Sequence, residues 1–177
     1  MRAFLTGAAL APLLLALFLF WGGPSPVGSV ARLRERHLLL PVEGVGAGDL
    51  RDGFAEARGI RAHEAIDIPA RRGTPVRAVD DGVVERLFRG ARGGLSVHQR
   101  DPTASYRYYY AHLDAYAPGL REGAPVRKGD LVGYVGSTGN APEDTPHLHF
   151  AIFRLDPESA ARHGAAVNPF LVFAPAG

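Results

Sequence analysis

The side chains best equipped for metal or acid–base chemistry in this sequence are histidines. Seven of them are spread over 177 residues, and there is no cysteine. Two groupings stand out: His63-Glu64-Ala65-Ile66-Asp67 and His147-Leu148-His149. In an extended strand, residues two apart point to the same face. His147 and His149 would then enter one cleft while Leu148 and Phe150 face the core. Taken alone, the pair is equally consistent with two polar residues on a solvated strand face. His63 and Asp67 are four apart, and on a straight strand their Cα atoms would lie about 13 Å from each other. They could not share an ion with bonds of about 2.0–2.2 Å unless the chain curled between them. Ile66, Ile68 and Pro69 speak against a helix there, and the small Ala65 would permit a curl. Two histidines and one carboxylate with a position left for water form a catalytic zinc set. Remaining histidines can serve as acid, base or oxyanion stabiliser. His112, in Tyr110-Ala111-His112-Leu113, is a candidate for that service or a partly buried structural histidine. His98 and His163 have no motif around them.

Positioning such a set requires strands. Between Ala65 and Phe153, short β-rich runs alternate with turn signals: Pro75 to Val79, Val83 to Phe88, Leu95 to Gln99, Ser105 to Leu113, Leu131 to Val135 and His147 to Phe153. Asp80-Asp81-Gly82, Gly93-Gly94 and Lys128-Gly129-Asp130 punctuate them. The expected class is mainly β, an antiparallel β-sheet core forming an open barrel or sandwich. Tyr106, Tyr108 and Tyr110 alternate along one strand face, which reads as a packed face before it reads as a groove lining. Asp156-Pro157-Glu158 offers a capped start for one short C-terminal helix running to about His163, with Gly164 as its stop.

Arg2 precedes an apolar run from Phe4 to Trp21, and Gly22-Gly23-Pro24-Ser25-Pro26 ends it. The run has 18 residues, near the lower bound for a membrane span and longer than an ordinary signal core. An N-terminal hydrophobic helix is expected, with residues 1–29 a signal peptide or membrane anchor and 30–41 a stalk or linker whose charged Val30 to His37 can form a short helix. The catalytic domain would then fill 42–177. Lys plus Arg number 20 against 18 Asp plus Glu, a net charge of +2, too balanced for a dedicated nucleic-acid binder. The missing cysteines exclude disulfide scaffolds, zinc–thiolate sites and cysteine nucleophiles.

In chain order, His63-x-x-x-Asp67, Tyr110-x-His112-Leu113 and His147-x-His149-Phe150 resemble the lysostaphin-type, LytM-like zinc metallopeptidases of bacterial peptidoglycan. The likeness continues through Gly73-Thr74-Pro75-Val76, Asp81-Gly82-Val83-Val84, Gly129-Asp130-Leu131-Val132-Gly133, Gly136-Ser137-Thr138-Gly139 and Asn168-Pro169-Phe170. It covers about Val42 to Phe170. The resemblance implies one zinc ion per chain bound by His63, Asp67 and His149, with His112 and His147 as the catalytic pair. It implies an endopeptidase cutting cross-links or stem peptides of peptidoglycan, placed in the cell envelope and anchored through residues 4–21 if these are retained. A monomer is expected, with peptidoglycan as the partner. One departure is Ala65, where the family often has Gly. Two other readings compete: a catalytically silent envelope activator of a cell-wall amidase, and a biotinyl- or lipoyl-like carrier suggested by Val126 to Gly133. The first has no need of three intact ligands, and the second lacks a Met-Lys-Met hairpin tip.

Overall fold

Period-two burial along the strands sorts this chain into a core face and an open face. The structure, a computed structural model, describes residues 26–156 and 164–175. Helix α1 (Pro26–Glu35) leads through a single 3-10 turn (Ala47–Asp49) into eleven strands. These are β1 (Ala57–Arg58), β2 (Arg61–Ala62), β3 (Ile66–Pro69), β4 (Pro75–Arg77), β5 (Gly82–Gly90), β6 (Gly94–Arg100), β7 (Tyr106–Tyr116), β8 (Pro125–Val126), β9 (Leu131–Val135), β10 (His147–Arg154) and β11 (Ala165–Val167), followed by helix α2 (Pro169–Phe173). β1 and β2 make a hairpin of their own, and the other nine form one sheet in the order β11-β10-β7-β6-β5-β8. β3 joins this sheet on β10, while β9 pairs with both β7 and β4. Every pairing is antiparallel. The expected mainly-β, antiparallel class is therefore found, as a single continuous sheet.

On β10, Leu148, Phe150 and Ile152 are fully buried, whereas His147 and His149 are only partly so. On β7, Tyr106, Tyr108 and Tyr110 all point into the core. The tyrosine stripe is thus a packed face, and the hydroxyls of Tyr108 and Tyr110 are spent on a buried polar network. Tyr110 Oη donates to Gln99 Oε1 at 2.6 Å and accepts from the Val79 amide at 3.0 Å; Tyr108 Oη donates to Asp80 Oδ2 at 2.9 Å. Buried hydroxyls need such partners, because an unsatisfied one costs about 1–3 kcal/mol. Asp80, read from sequence as part of a turn signal, is a buried member of this network.

Segment 30–41 differs from the expected stalk. Leu33 is completely buried, and Val30, Leu38 and Leu40 pack against the core. The backbone beyond α1 is stitched to the sheet: the Leu39 amide donates to the Val79 carbonyl at 2.9 Å, and the Arg77 amide to the Pro41 carbonyl at 2.8 Å. Arg36 forks between Asp80 Oδ2 and Asp101 Oδ2, each at 2.7 Å, and Lys128 Nζ binds the carbonyls of Arg36 and His37. Arg36, one of the charges that suggested a solvated stalk, is thus the partner of two buried carboxylates, and Lys128 holds the C-terminal carbonyls beyond α1.

The helix expected from Asp156 to about His163 falls on residues 157–163, outside the described residues, as does the apolar run 4–21. Among the described residues, no helix is long and apolar enough to cross a membrane. The C-terminal helix that is described, α2, starts where Asn168 Oδ1 accepts from the Phe170 amide at 2.9 Å and Pro169 fills the first helical position.

Since α1 is docked, Leu33→Ala should lower unfolding stability by about 2–5 kcal/mol, the range for truncating a buried leucine. Urea denaturation measures this. A change within error would mean that α1 is independent of the core.

Candidate metal and acid–base site

β3 lies antiparallel on β10 with Asp67 directly opposite His149 and Pro69 opposite His147. Asp67 sits between the buried Ile66 and Ile68, so its carboxylate must emerge on the open face. His147 and His149 share that face, as period-two reasoning requires. The missing step is the curl that returns His63. It is made by Glu64, whose φ of 57° is left-handed, while Ala65 is buried behind it. The His63 amide donates to the Glu56 carbonyl at 2.8 Å and the Glu64 amide to the Phe54 carbonyl at 2.9 Å, which holds the bend. The sequence placed the permissive residue at Ala65, one position too late.

Three donor atoms converge as a result. His63 Nε2 is 3.1 Å from Asp67 Oδ1 and 3.0 Å from His149 Nδ1, and His149 Nδ1 is 3.2 Å from Asp67 Oδ1. His63, Asp67 and His149 form a group that could hold a metal ion. A carboxylate and two imidazole lone pairs this close repel one another unless a proton or a cation lies among them. Burial alone would raise the Asp67 pKa, but the His149 and His63 rings against it overcome that and hold the carboxyl well below the usual carboxylate range. Burial pushes His149 down, against the pull of Asp67.

Backbone carbonyls fix the ring tautomers. A carbonyl only accepts, so the ring nitrogen facing it must carry the proton. His63 Nδ1 donates to the Gly53 carbonyl at 3.1 Å, His112 Nδ1 to the Thr138 carbonyl at 2.8 Å, and His147 Nδ1 to the Thr145 carbonyl at 2.8 Å. In the neutral ring each therefore keeps its lone pair on Nε2. His147 Nε2 lies 3.7 Å from Asp67 Oδ1. The His112 ring stands 5.0 Å from that of His147 and 5.7 Å from that of His149, centroid to centroid. All five residues singled out in the sequence thus meet in one place.

His112 reaches the site through an irregularity. β7 pairs with β10 as far as Ala111 and with β9 from Leu113 onward, and its register against β6 slips between Leu95 and Val97. At the changeover His112 adopts φ 60°, a strained conformation for a residue with a Cβ. Thr138 locks it: its carbonyl holds the ring, its Oγ1 donates to the Leu113 carbonyl at 2.7 Å, and the Leu95 amide donates to that Oγ1 at 2.9 Å. Gly94 and Gly139 interlock beside it. A Cβ on Gly139 would lie 2.3 Å from the Gly94 nitrogen, and one on Gly94 would lie 2.2 Å from Thr138 Oγ1. Gly136 is equally tight against the Asp114 backbone. These glycines are bare so that the 136–140 loop can press on the strands.

Four contributors escaped sequence reasoning. Thr138 was visible only as part of a motif, the carbonyls of Gly53 and Thr145 carry no side-chain signal, and Arg58 donates to Asp67 Oδ2 at 2.8 Å from the β1–β2 hairpin. Tyr109 is a fifth neighbour, its ring 5.9 Å from that of His149 and 4.8 Å from that of His98.

The sequence model of Peptidase family M23 matches residues 61–169. The chain is 38% identical over 112 residues to the L-Ala–D-Glu endopeptidase of Bacillus subtilis (strain 168), an alignment covering 59% of this chain and 34% of that relative. It therefore spans about a third of that relative's length. Among solved structures it is similar to one from Ruminococcus gnavus described as a glycyl-glycine endopeptidase lytM, with a TM-score of 0.66 and 27% identity over 84% of this chain and 62% of that one. The catalytic domain of lysostaphin from Staphylococcus simulans shares the fold, with a TM-score of 0.56 at 24% identity, covering 80% of this chain and 96% of that one.

Burial, opposed by the Thr138 carbonyl and helped by the nearby His149 and His147, pushes the His112 pKa down to about 4. In the metal-free protein its NMR titration should centre near there. The unfolded chain binds this proton more readily, so the His112 contribution to stability is whole above pH 6.5 and is lost as pH falls from 6.5 toward 4. A ring titrating at its ordinary value would refute the buried, neutral assignment. Thr138→Val, which strands the Leu95 amide and the Leu113 carbonyl, should cost about 1–3 kcal/mol in denaturant unfolding, whereas Thr138→Ser should recover most of it.

Proposed function

This chain belongs to peptidase family M23, and on that premise we propose that it is a zinc-dependent endopeptidase that hydrolyses peptide bonds of bacterial peptidoglycan. The observation that carries the reading is the triangle of His63 Nε2, Asp67 Oδ1 and His149 Nδ1, with edges of 3.0–3.2 Å. Bonds of 2.0–2.1 Å to a tetrahedral zinc ion place neighbouring ligand atoms about 3.3 Å apart, so the donor set fits one face of that polyhedron and leaves the fourth position open. The imidazoles of His63 and His149 and the Asp67 carboxylate would hold the ion with a net charge of +1. When bound, zinc lowers the pKa of its water toward about 7 and polarises a carbonyl oxygen.

The chain's own groups supply the rest. His112 and His147 present Nε2 toward the site with their Nδ1 protons engaged by carbonyls, so each can accept a proton or a hydrogen bond there. Burial keeps His112 neutral at neutral pH, the state a base needs. One of the two takes the proton from water; the imidazolium of the pair returns it to the leaving amine or steadies the developing oxyanion. The Thr138 and Thr145 carbonyls hold the rings so that little reorganisation accompanies transfer.

The relatives' names support a peptide substrate in peptidoglycan, since the Bacillus relative is called an L-Ala–D-Glu endopeptidase and the Vibrio cholerae one, 35% identical over 91 residues, a peptidoglycan DD-endopeptidase. Residues 1–29 then serve as export signal or anchor, and the domain works in the cell envelope as a monomer. An amidase activator would not need the three donor atoms to converge, which favours the enzyme over the regulator.

His149→Ala should remove most bound zinc and all activity, while His147→Ala and His112→Ala should keep the metal and lose about 10²–10⁴-fold in rate. Metal analysis of the purified variants and mass spectrometry of digested peptidoglycan read both out. Normal zinc in the His149 variant, or zinc lost from His112→Ala, would sink these role assignments.

A further inference from the structure

The β1–β2 hairpin stands clear of the sheet. Residues 55–62 are all exposed, and Ile60 at its tip is 101% accessible. A lone two-stranded hairpin is marginal in water. This one is tied down at its base by the Glu56 and Phe54 carbonyls, which receive the amides of His63 and Glu64. It is tied to the site by one side chain: Arg58 Nη2 donates to Asp67 Oδ2 at 2.8 Å.

That contact divides the carboxylate. Oδ1 faces His63 Nε2 and His149 Nδ1, and Oδ2 is taken by the guanidinium. Asp67 thus offers a single oxygen to whatever the two histidines hold. Resting on the ligand assignment of Proposed function, we infer that Arg58 is a positioning residue, which pins Asp67 as a one-oxygen ligand and orients that oxygen before the metal arrives.

Arg58 is half exposed, and Glu56 Oε2 also approaches it at 3.4 Å. Exposed ion pairs add little to stability and are screened by salt. The pairing therefore matters through geometry or not at all. The geometry has a specific basis: Asp67 sits on a short strand, and a donor on the outer oxygen is what stops a ligand carboxylate from turning or binding through both oxygens.

Charge and orientation predict opposite signs. A guanidinium beside the site repels a divalent cation, so by charge alone its removal would tighten metal binding. By orientation its removal loosens binding, by about 10–100-fold for a lost outer-shell partner. Arg61, the cross-strand partner of Arg58 in the hairpin, carries the same charge on the same element and serves as the control.

The experiment measures zinc affinity of the full chain by chelator competition and records the visible spectrum of its cobalt form. Wild type, Arg58→Ala, Arg58→Lys and Arg61→Ala are compared. Both sites are exposed, and thermal melting confirms folding. Arg58→Ala should weaken zinc about 10–100-fold and alter the cobalt spectrum. Arg58→Lys should restore part of the affinity, since a point charge reaches one oxygen without the fork. Arg61→Ala should bind as wild type or slightly tighter. Unchanged or tighter binding with an unchanged spectrum in Arg58→Ala overturns the inference and leaves the zinc reading standing. Equal weakening in Arg61→Ala overturns it too, by tracing the effect to the hairpin as a whole. A wild-type chain that binds no zinc overturns both.

Discussion

The antiparallel pairing of β3 with β10 sets Asp67 against His149, and the rest of the site is built around that register. Strand periodicity allows no adjustment here. A slip by one residue would turn Asp67 into the core and bring Ile66 or Ile68 out to face the histidines. The buried Ile66, Ile68, Leu148 and Phe150 therefore do two things with one contact set. They supply the apolar burial that holds β3 on the sheet, and they fix which side chains are left on the open face. Packing and chemistry are coupled through parity.

Around this rigid pair, two departures from regular backbone deliver the other histidines. Glu64 and His112 both carry positive φ without being glycine. Such residues persist only where their surroundings over-determine them. At Glu64 the surroundings are the carbonyls of Glu56 and Phe54, and at His112 they are Thr138 and the Gly93 carbonyl, which accepts the His112 amide at 2.8 Å. The closing segment joins in, since Asn168 Nδ2 donates to both oxygens of Asp52, beside the Gly53 carbonyl that orients His63. Strain at the site is thus balanced by polar contacts drawn from loops far apart in sequence.

The legible part of the sequence was the part with a period. His147 and His149 on one face, the tyrosine stripe in the core and most strand limits all follow from alternation and turn residues. The meeting of His63 with Asp67 was legible only as a requirement, because the bend rests on a left-handed glutamate that propensity would not nominate. The bulge at His112 is invisible for the same reason. Helix α1 was read as a stalk because its inward stripe is short, Ser29, Val30 and Leu33, and one member is polar. The cap-and-proline start that marks α2 at Asn168-Pro169 was equally available in the sequence but was absorbed into a family motif instead of being read as a helix start.

The docking of α1 has a bearing on reach. From Trp21, the end of the apolar run, to Pro26, the start of α1, there are five peptide steps, which span at most about 18 Å when fully extended. With no stalk beyond them, an uncleaved run would leave the domain no long leash. α1 packs near β11, which pairs with the Ile152–Arg154 end of β10, whereas the histidines occupy its other end, about 20 Å along the strand. α1 and the three donor atoms thus sit toward opposite ends of one strand, so a change in how the chain enters the domain leaves the histidine end of β10 untouched.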